Sequence, residues 1–476
     1  MRVLLIHPEP DTSPFYLQAP IECLHLAVAL EGQHEVKIYD QNVSEKRVEI
    51  VVSESAPDII IVLFTMRSLA ASYRIAHQFR HKGYILIAGG KYPTFKPKGC
   101  IETGFDIVLQ GNVEDTLSNF LNNLSLKNPF VNSELVQSPG YFFKKHNGDY
   151  LNTGIANSLD ASGYAMARHL IPIEYHRQYT HGFLIGSKGC LYNCVFCTSS
   201  GSGYKAREPK HVIDELEYIV KVEGHKAIHF GDDIFTNDPE WVIAVCHEII
   251  ARKLVCNWSV NSRSDVPPKH WHMFDWMYKA GCKIVAFGIE SGDQKTLKNS
   301  RKGLKIDKIL PVVSQARNAK IGIRCNLMIG LPGATYQDHL LSIDLMEAIQ
   351  PSQIVASLCI PYPGSKMGNN PEQFGIRFKI SNWETILEKD YCDPGVLDNV
   401  VEYENISTTE IIKFARMLVE RLKPYGYISI SQDNKRSECP EKIIKTFLDK
   451  PKLPMVRNKA GQRDYYRRAL ESDWVL

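Results

Sequence analysis

Short apolar runs alternate with amphipathic stretches along the N-terminal part of the chain. The apolar runs predict five strands, at residues 3–6, 36–39, 59–64, 85–88 and 107–109. Apolar positions at helical spacing predict helices between them, at residues 23–30, 68–81 and 114–124. Strands that alternate with helices are typical of a doubly wound parallel sheet. We therefore predict a Rossmann-like α/β domain over residues 1–130.

A second series of strands and helices begins near Gly182. The apolar runs predict six strands, at residues 183–187, 227–230, 257–260, 284–288, 323–329 and 354–360. Amphipathic stretches separate them, such as residues 212–220. Six successive strand–helix units predict a partial (β/α)6 barrel over residues 178–400, with its functional site at the carboxyl ends of the strands.

Two further segments flank this predicted barrel. Residues 131–177 are predicted to form a linker with a hairpin, because two apolar runs at residues 141–143 and 150–151 enclose an Asn147-Gly148 turn. Residues 401–476 are predicted to form a helical C-terminal cap, in which Ser407 and Glu410 make a capping box at the start of an amphipathic helix.

Charge and cysteine content narrow the class of protein. The 56 basic and 53 acidic residues leave a net charge of +3, which is too balanced for a protein built to bind nucleic acid. No apolar run approaches the ~18 residues of a membrane span, and the N-terminus turns polar too early for a signal peptide. Twelve cysteines in 476 residues are too few for a disulfide scaffold. We therefore expect a reduced, cytoplasmic protein whose clustered cysteines bind metal.

Three of the cysteines form the most specific motif in the chain. Cys190, Cys194 and Cys197 have CxxxCxxC spacing and follow directly on a predicted strand. A [4Fe–4S] cluster ordinarily takes four thiolates, so three would leave one iron with an open position for chemistry. A zinc knuckle is the alternative, but no fourth cysteine or histidine stands nearby at zinc-finger spacing.

The motif resembles the cluster-binding loop of radical S-adenosylmethionine (radical SAM) enzymes. The resemblance implies that the open iron chelates the amino and carboxylate groups of SAM. It also implies an external electron donor, of the flavodoxin or ferredoxin type, whose electron cleaves SAM to a 5′-deoxyadenosyl radical. That radical would abstract hydrogen from a small-molecule substrate.

Further segments resemble this family at the ends of successive predicted strands. The resemblance assigns SAM contacts to Phe196 beside the adenine, Asp232 and Asp233 near the amino group, Arg263 at the carboxylate, Glu290 in a GIESG element, and Gly330 and Pro332 in a GLPG turn. Singly, such residues also serve as turns or helix caps. Their shared order along the chain is what supports the resemblance.

The N-terminal domain resembles the cobalamin-binding domain that precedes the barrel in one class of these enzymes. Gly89 and Gly90 would let the backbone approach the corrin tail. The lower face of the cobalt would meet Thr65, Met66 and Arg67. The family's GGPHPT segment reads GGKYPT here, and no Asp-x-His-x-x-Gly motif offers a histidine to cobalt. A domain that keeps the fold without the cofactor is therefore the alternative.

These features together predict a radical SAM enzyme of secondary metabolism that carries out cobalamin-dependent C-methylation. The alternatives are a cobalamin-free radical dehydration, deoxygenation, epimerisation or cyclisation, and a cofactor-binding regulator without turnover. Cys359, near the end of the last predicted strand, is a candidate donor of hydrogen or a thiyl radical. The other scattered cysteines are predicted to be inert buried thiols.

Overall fold

The computed structural model describes residues 1–10, 17–124, 138–145, 147–157, 167–379, 400–425 and 427–430. The described residues form two compact units, one up to Tyr179 and the other from Thr180 onward. The predicted C-terminal cap is therefore described only as far as Ile430.

The first unit contains a parallel sheet of five strands. They are β1 (Arg2–His7), β2 (Glu35–Asp40), β3 (Ile59–Leu63), β4 (Ile85–Gly89) and β5 (Ile107–Leu109). Their order in the sheet is β2-β1-β3-β4-β5, which confirms the predicted Rossmann-like class. In this order the chain reverses direction across the sheet between β1 and β3, and ligands bind parallel sheets at the carboxyl ends beside such a reversal.

Helices cover both faces of this sheet, as the almost completely buried strands β3 and β4 require. They are α1 (Ile21–Leu30), α2 (Val48–Ser55), α3 (Leu69–Phe79), α4 (Lys91–Phe95), α5 (Pro97–Thr103), α6 (Glu114–Asn122) and α7 (Ile173–His176). In α3 the buried residues Leu69, Ala76 and Phe79 lie on one stripe at helical spacing.

The predicted hairpin belongs to this sheet and is not a free connector. Its strands β6 (Tyr141–Lys144) and β7 (Tyr150–Asn152) are antiparallel, and β6 pairs with β5. The unpaired backbone groups of β5 at the sheet edge explain this arrangement, since the hairpin satisfies them. The ring of Tyr141 also stacks on Phe120 of α6, with centroids 3.9 Å apart.

The second unit contains seven parallel strands whose order in the sheet follows the chain. They are β8 (Gly182–Leu184), β9 (Ala227–Phe230), β10 (Asn257–Ser262), β11 (Cys282–Glu290), β12 (Gly322–Ile329), β13 (Gln353–Leu358) and β14 (Tyr427–Ile430). The first six correspond to the predicted strands. The seventh was missed because four residues of Tyr-Ile-Ser-Ile give too short a pattern.

The helices of the second unit are α8 (Pro209–Lys221), α9 (Pro239–Ala251), α10 (Met273–Lys279), α11 (Gln294–Asn299), α12 (Ile306–Asn318), α13 (Tyr336–Ile349), α14 (Lys366–Asn369) and α15 (Thr408–Leu422). The predicted capping box is present at α15. The Ser407 hydroxyl accepts a hydrogen bond from the Glu410 backbone N–H, and the Glu410 carboxylate accepts one from the Ser407 N–H.

The two faces of this second sheet differ in polarity. Connections between neighbouring parallel strands are right-handed, so the connecting helices lie on one face. Strand residues on that face, such as Phe230, Val260 and Phe287, are completely buried in the apolar core. Residues on the opposite face, here called the interior face, include Asn261 and Arg324 and are half-buried. The interior face is therefore open enough to receive a ligand.

Gly90, at the carboxyl end of β4, is required by the packing of the neighbouring strand. Its φ is +103°, and an added Cβ would lie 2.4 Å from the Phe64 carbonyl oxygen. Gly83 has a similar φ of +86°, but a Cβ there would meet nothing within 4 Å. Both glycines therefore have a left-handed backbone, but only Gly90 lacks space for a side chain.

We expect Gly83→Ala to cost about 1–2 kcal/mol of stability, which is the strain of a left-handed backbone. Gly90→Ala should cost about 3 kcal/mol or more, because a clash with the Phe64 backbone adds to that strain. Urea unfolding of both variants, followed by circular dichroism, measures the difference. Equal destabilisation would show that the close approach to Phe64 is not what requires glycine.

Candidate active site

The three motif cysteines lie in the loop between β8 and α8. Cys190 and Cys194 are buried, Cys197 is half-buried, and none forms a disulfide. Gly189 begins the loop with φ +83°, and a Cβ there would lie 2.3 Å from the Gly203 carbonyl oxygen. The tight turn into the first cysteine therefore requires glycine.

Backbone hydrogen bonds fix this cysteine loop to two other segments. The Val195 N–H donates to the Ser300 carbonyl at 3.0 Å, and the Met367 N–H donates to the Val195 carbonyl at 3.0 Å. The loop is held in this way from the end of α11 and from α14. Its position does not depend on the short β8 strand alone.

The cysteine loop fits an iron–sulfur cube better than a single metal ion. Within the described residues, no three His, Cys, Asp or Glu side chains are arranged to hold one ion. In a [4Fe–4S] cube each thiolate binds a different iron, so the sulfurs need not converge on one point. Burial raises the pKa of Cys194, while the nearby positive charges of Lys302 and Arg263 act in the opposite sense. Two buried cations beside the loop thus favour bound thiolates.

Arg263, which follows β10, contacts the cysteine loop directly. Its guanidinium carbon lies 3.7 Å from the ring centroid of Tyr192, a cation–π contact inside the CxxxCxxC segment. Its Nε donates to Asp265 at 2.9 Å, and its Nη1 donates to the Lys302 carbonyl at 3.0 Å. The side chain thus ties together three loops at the strand ends. Its assigned contact with the SAM carboxylate stays a prediction.

Glu290 ends β11 with a positive φ of 67°, an unusual conformation for a residue with a side chain. Its carboxylate accepts a hydrogen bond from Lys302 Nζ at 2.9 Å, and both side chains are largely buried. The ion pair leaves part of the carboxylate available, since each oxygen has two lone pairs. Glu290 is therefore positioned to receive a donor group from a ligand.

The two aspartates after β9 have different surroundings. Asp232 is 1% exposed and accepts hydrogen bonds from the Ser187 hydroxyl at 2.5 Å and the Gly186 N–H at 3.0 Å. Burial raises its pKa to about 6. Asp233 is exposed and accepts a bond from Ser199 at 3.3 Å. Asp232 thus holds the end of β8, and Asp233 is the better placed of the two for a SAM contact.

The GLPG turn after β12 adjoins a small cavity lined by Leu331, Phe374 and Tyr403. Gly330 has φ +81° and its N–H donates to His339 Nε2 at 2.9 Å, which fixes the turn. Pro332 is buried in this turn, and Phe196 is half-buried against the apolar core of the second unit. The predicted contacts of these residues with the adenine stay predictions.

Cys359 follows directly on the last residue of β13. It is fully buried in the apolar core, with its sulfur 3.9 Å from Met367 Sδ. Burial raises its pKa far above the usual value. Its predicted role as a donor of hydrogen or a thiyl radical stays a prediction.

In the first unit, the predicted cobalamin contacts lie at the carboxyl edge of the sheet. The Thr65 hydroxyl accepts a hydrogen bond from the Arg67 N–H at 3.2 Å, Met66 is buried, and Arg67 is exposed. Tyr92, which replaces the family's histidine, is buried and stacks on Phe64 with centroids 6.1 Å apart. Packing inside the unit thus accounts for Tyr92, as it does for Gly90.

A histidine does stand at this edge, although outside the motif sought in the sequence. His7 ends β1, and its Nδ1 lies 3.1 Å from the fully buried carboxylate of Asp40. Burial acts to lower the pKa of His7, but the Asp40 carboxylate outweighs it and raises the pKa above its ordinary value. The edge beside the β1–β3 reversal therefore offers a held imidazole and an exposed guanidinium, while the Met66 thioether is buried behind it. This donor set, on an edge that ends in glycines, fits a large polar cofactor such as cobalamin.

Three residues at this site, Lys302, Tyr192 and Asp265, were not predicted from the sequence. Lys302 stands in a polar Arg-Lys-Gly turn, where a buried lysine cannot be distinguished from a solvated one. Tyr192 lies inside the cysteine motif, and its aromatic ring was the available signal for a cationic partner.

Two family models match the chain: the radical SAM superfamily over residues 184–346 and the B12 binding domain over residues 13–121. A relative from Pyrococcus horikoshii, named uncharacterized methyltransferase PH0819, is 24% identical over 87% of this chain and 91% of its own. The bacteriochlorophyllide d C-12(1)-methyltransferase of Chlorobaculum tepidum is 23% identical over 76% of each chain.

Among solved structures, the radical S-adenosylmethionine methyltransferase TsrM from Kitasatospora setae, with tryptophan and a SAM analogue bound, matches with a TM-score of 0.70. The match covers 98% of this chain and 99% of TsrM at 17% identity, which shows a shared fold.

The fold and the cysteine site define a radical SAM enzyme with an N-terminal B12-binding domain. The chain thus contains a radical SAM domain and a B12-binding domain. The radical SAM match supports the predicted [4Fe–4S] cluster and SAM, and the B12-binding match supports the predicted cobalamin. No helix in the described part of the chain is long and apolar enough to cross a membrane.

We expect Cys194→Ala to lose most of the iron that the wild type binds after anaerobic reconstitution, because one of three protein thiolates is removed. Cys246→Ala is the matched control, since Cys246 lies in the apolar core on α9. Iron and sulfide content per chain is the measurement. Full iron content in Cys194→Ala would disprove the cluster assignment.

A second prediction separates the roles of Arg263 and Glu290. Arg263→Ala should lower iron content, because its guanidinium packs on Tyr192 within the cysteine loop. Glu290→Gln should leave iron content unchanged and weaken SAM binding by about 1–3 kcal/mol, since the amide lacks the negative charge. Iron analysis and equilibrium dialysis with SAM measure the two effects. Full iron content with lost SAM binding in Arg263→Ala would instead support its assignment to the SAM carboxylate.

Proposed function

We propose that this enzyme is a cobalamin-dependent C-methyltransferase that acts on a small molecule. The observation that carries the proposal is the joining of a cluster and SAM site with a B12-binding unit in a single chain. The names of the relatives from Pyrococcus horikoshii and Chlorobaculum tepidum, both methyltransferases, support the same reaction class.

When bound, the cluster and SAM supply the abstraction of hydrogen from carbon, and cobalamin supplies the methyl group. The residues of the chain hold and orient these groups. Lys302 pairs with Glu290 at 2.9 Å and holds its carboxylate in place in a largely buried site. Arg263 holds Tyr192, and with it the cysteine loop, against the strand ends.

The interior face of the second unit supports a small polar molecule as the substrate. Asn261, Arg324 and Asn326 lie on this face and are half-buried, so a polar ligand can reach hydrogen-bonding groups there. Apolar side chains fill the opposite face completely.

The reaction class also bears on the electron donor and on the cellular compartment of the enzyme. One electron must reach the cluster for each SAM cleaved, so we propose a low-potential donor of the flavodoxin or ferredoxin type. The cysteine loop needs reduced thiols to bind iron, which supports the predicted cytoplasmic location.

A cobalamin-free radical reaction, such as dehydration, epimerisation or cyclisation, is the second candidate. The buried Tyr92 in place of the family's histidine is the observation that favours it, since this side chain packs inside the unit.

We expect the holoenzyme, given methyl-labelled SAM, reductant and a small-molecule extract, to form a labelled product together with both S-adenosylhomocysteine and 5′-deoxyadenosine. Methylation of an unactivated carbon consumes SAM in both ways, as methyl source and as radical source. Mass spectrometry measures all three compounds, and protein reconstituted without cobalamin is the control. Deoxyadenosine formation that depends on extract, without S-adenosylhomocysteine or label, would favour the cobalamin-free reaction.

A further inference from the structure

We infer that the substrate carries an oxyanion group, a carboxylate or a phosphate, and that Arg324 binds it on the interior face of the second unit. This inference rests on the proposed function in that the molecule so bound is the one methylated. Nothing in the predicted SAM and cluster sites uses Arg324.

The strand register places Arg324 among polar and small residues. Ala286 of β11 pairs with Arg324 of β12, and Arg324 pairs with Gln353 of β13, so the three side chains share one face. Two residues further along the same strands, on the same face, Gly288 pairs with Asn326. Bulky branched residues normally fill the interior of a (β/α) barrel. The side chain beside Arg324 on β11 is instead the short one of Ala286. The space over Gly288 is taken by the Glu290–Lys302 ion pair, since an added Cβ there would lie 2.7 Å from Glu290 Oε1.

Arg324 lacks an acidic partner in the described part of the chain. Its Nε donates to Gln353 Oε1 at 2.8 Å, and no hydrogen bond or ion pair of its terminal nitrogens is found there. A half-buried cation loses hydration without compensation unless an anion joins it. The guanidinium fork matches the two oxygens of a carboxylate or phosphate. The side chain is thus prepared for an oxyanion.

His229 and Glu290, two titratable residues on other strands of the sheet, do not neutralise the positive charge of Arg324, which favours an anionic ligand. His229, whose Nδ1 lies 2.9 Å from the Ser259 hydroxyl, is the nearby base. Burial lowers the pKa of His229 to about 4, and the charge of Arg324 adds to this effect. The imidazole is therefore uncharged at neutral pH. Glu290, the acidic residue at the carboxyl end of β11, already pairs with Lys302.

Arg324 could alternatively serve only to brace β12 against β13 through Gln353. A bracing residue would affect stability and cofactor content when replaced. A binding residue would affect the use of substrate and leave cofactor content and SAM affinity intact. Product formation, cofactor content and SAM affinity are therefore all measured.

The first experiment uses the holoenzyme with methyl-labelled SAM and a small-molecule extract of the source cells, separated on a strong anion exchanger. We expect the labelled product from the retained fraction. Phosphatase treatment of that fraction should abolish labelling if the group is a phosphate ester, and esterification of carboxyl groups should abolish it if the group is a carboxylate. Label from the unretained fraction would overturn the inference.

The second experiment compares variants on the active fraction. Arg324→Gln should lower the rate of product formation at limiting substrate by about 10–150-fold, the range expected for a lost charged hydrogen bond. Arg324→Lys keeps the positive charge but not the two-pronged guanidinium group, so its rate of product formation should fall less. Arg416→Gln, an exposed arginine on α15, is the matched control. Iron, cobalt and SAM affinity should be unchanged in all three variants.

The outcomes separate this inference from the proposed function. Wild-type rates in Arg324→Gln, or losses of cofactor in both Arg324 variants, would overturn the role of Arg324 in binding. Deoxyadenosine formation stimulated by the retained fraction without any labelled product would keep the anionic substrate and overturn methylation.

Discussion

The contact between the Arg263 guanidinium and the Tyr192 ring is the interaction on which the second unit's site depends. A loop with three cysteines has little regular structure of its own, so its shape must come from outside. Arg263 supplies this support because its other nitrogens bind Asp265 and the Lys302 carbonyl. Lys302 in turn pairs with Glu290 at the end of β11. The cysteine loop and the strand ends are thereby joined through two buried cations.

The sheet of the second unit has a different environment on each of its two faces. The helix-covered face is an apolar core that contains Cys325, and the interior face presents half-buried amides and Arg324. This separation follows from the alternation of side chains along each strand, since a residue and its neighbour face opposite ways. It explains why Cys325 is buried in the core while Arg324, the residue before it on β12, can meet a ligand.

The strands and the cysteine site could be predicted from the sequence because both are local patterns. Apolar runs such as Ile59–Leu63 are recognised as strands from their composition. The spacing of the three cysteines is visible in the sequence itself. Contacts between distant segments could not be predicted in the same way. The pairing of Lys302 with Glu290, the docking of the hairpin on β5, and the Asp40 carboxylate behind His7 all depend on tertiary packing. Gly90 shows the limit most clearly, since the sequence suggested a ligand and the structure shows a neighbouring strand.

We predict that Cys190, Cys194 and Cys197 bind a [4Fe–4S] cluster with one open iron, to which SAM coordinates. The most direct measurement is the electron paramagnetic resonance spectrum of the dithionite-reduced cluster, recorded before and after addition of SAM. We expect the spectrum of a reduced [4Fe–4S] cluster, with g values that change when SAM is added. A cluster spectrum that SAM leaves unchanged, at concentrations where SAM binds the protein, would contradict it.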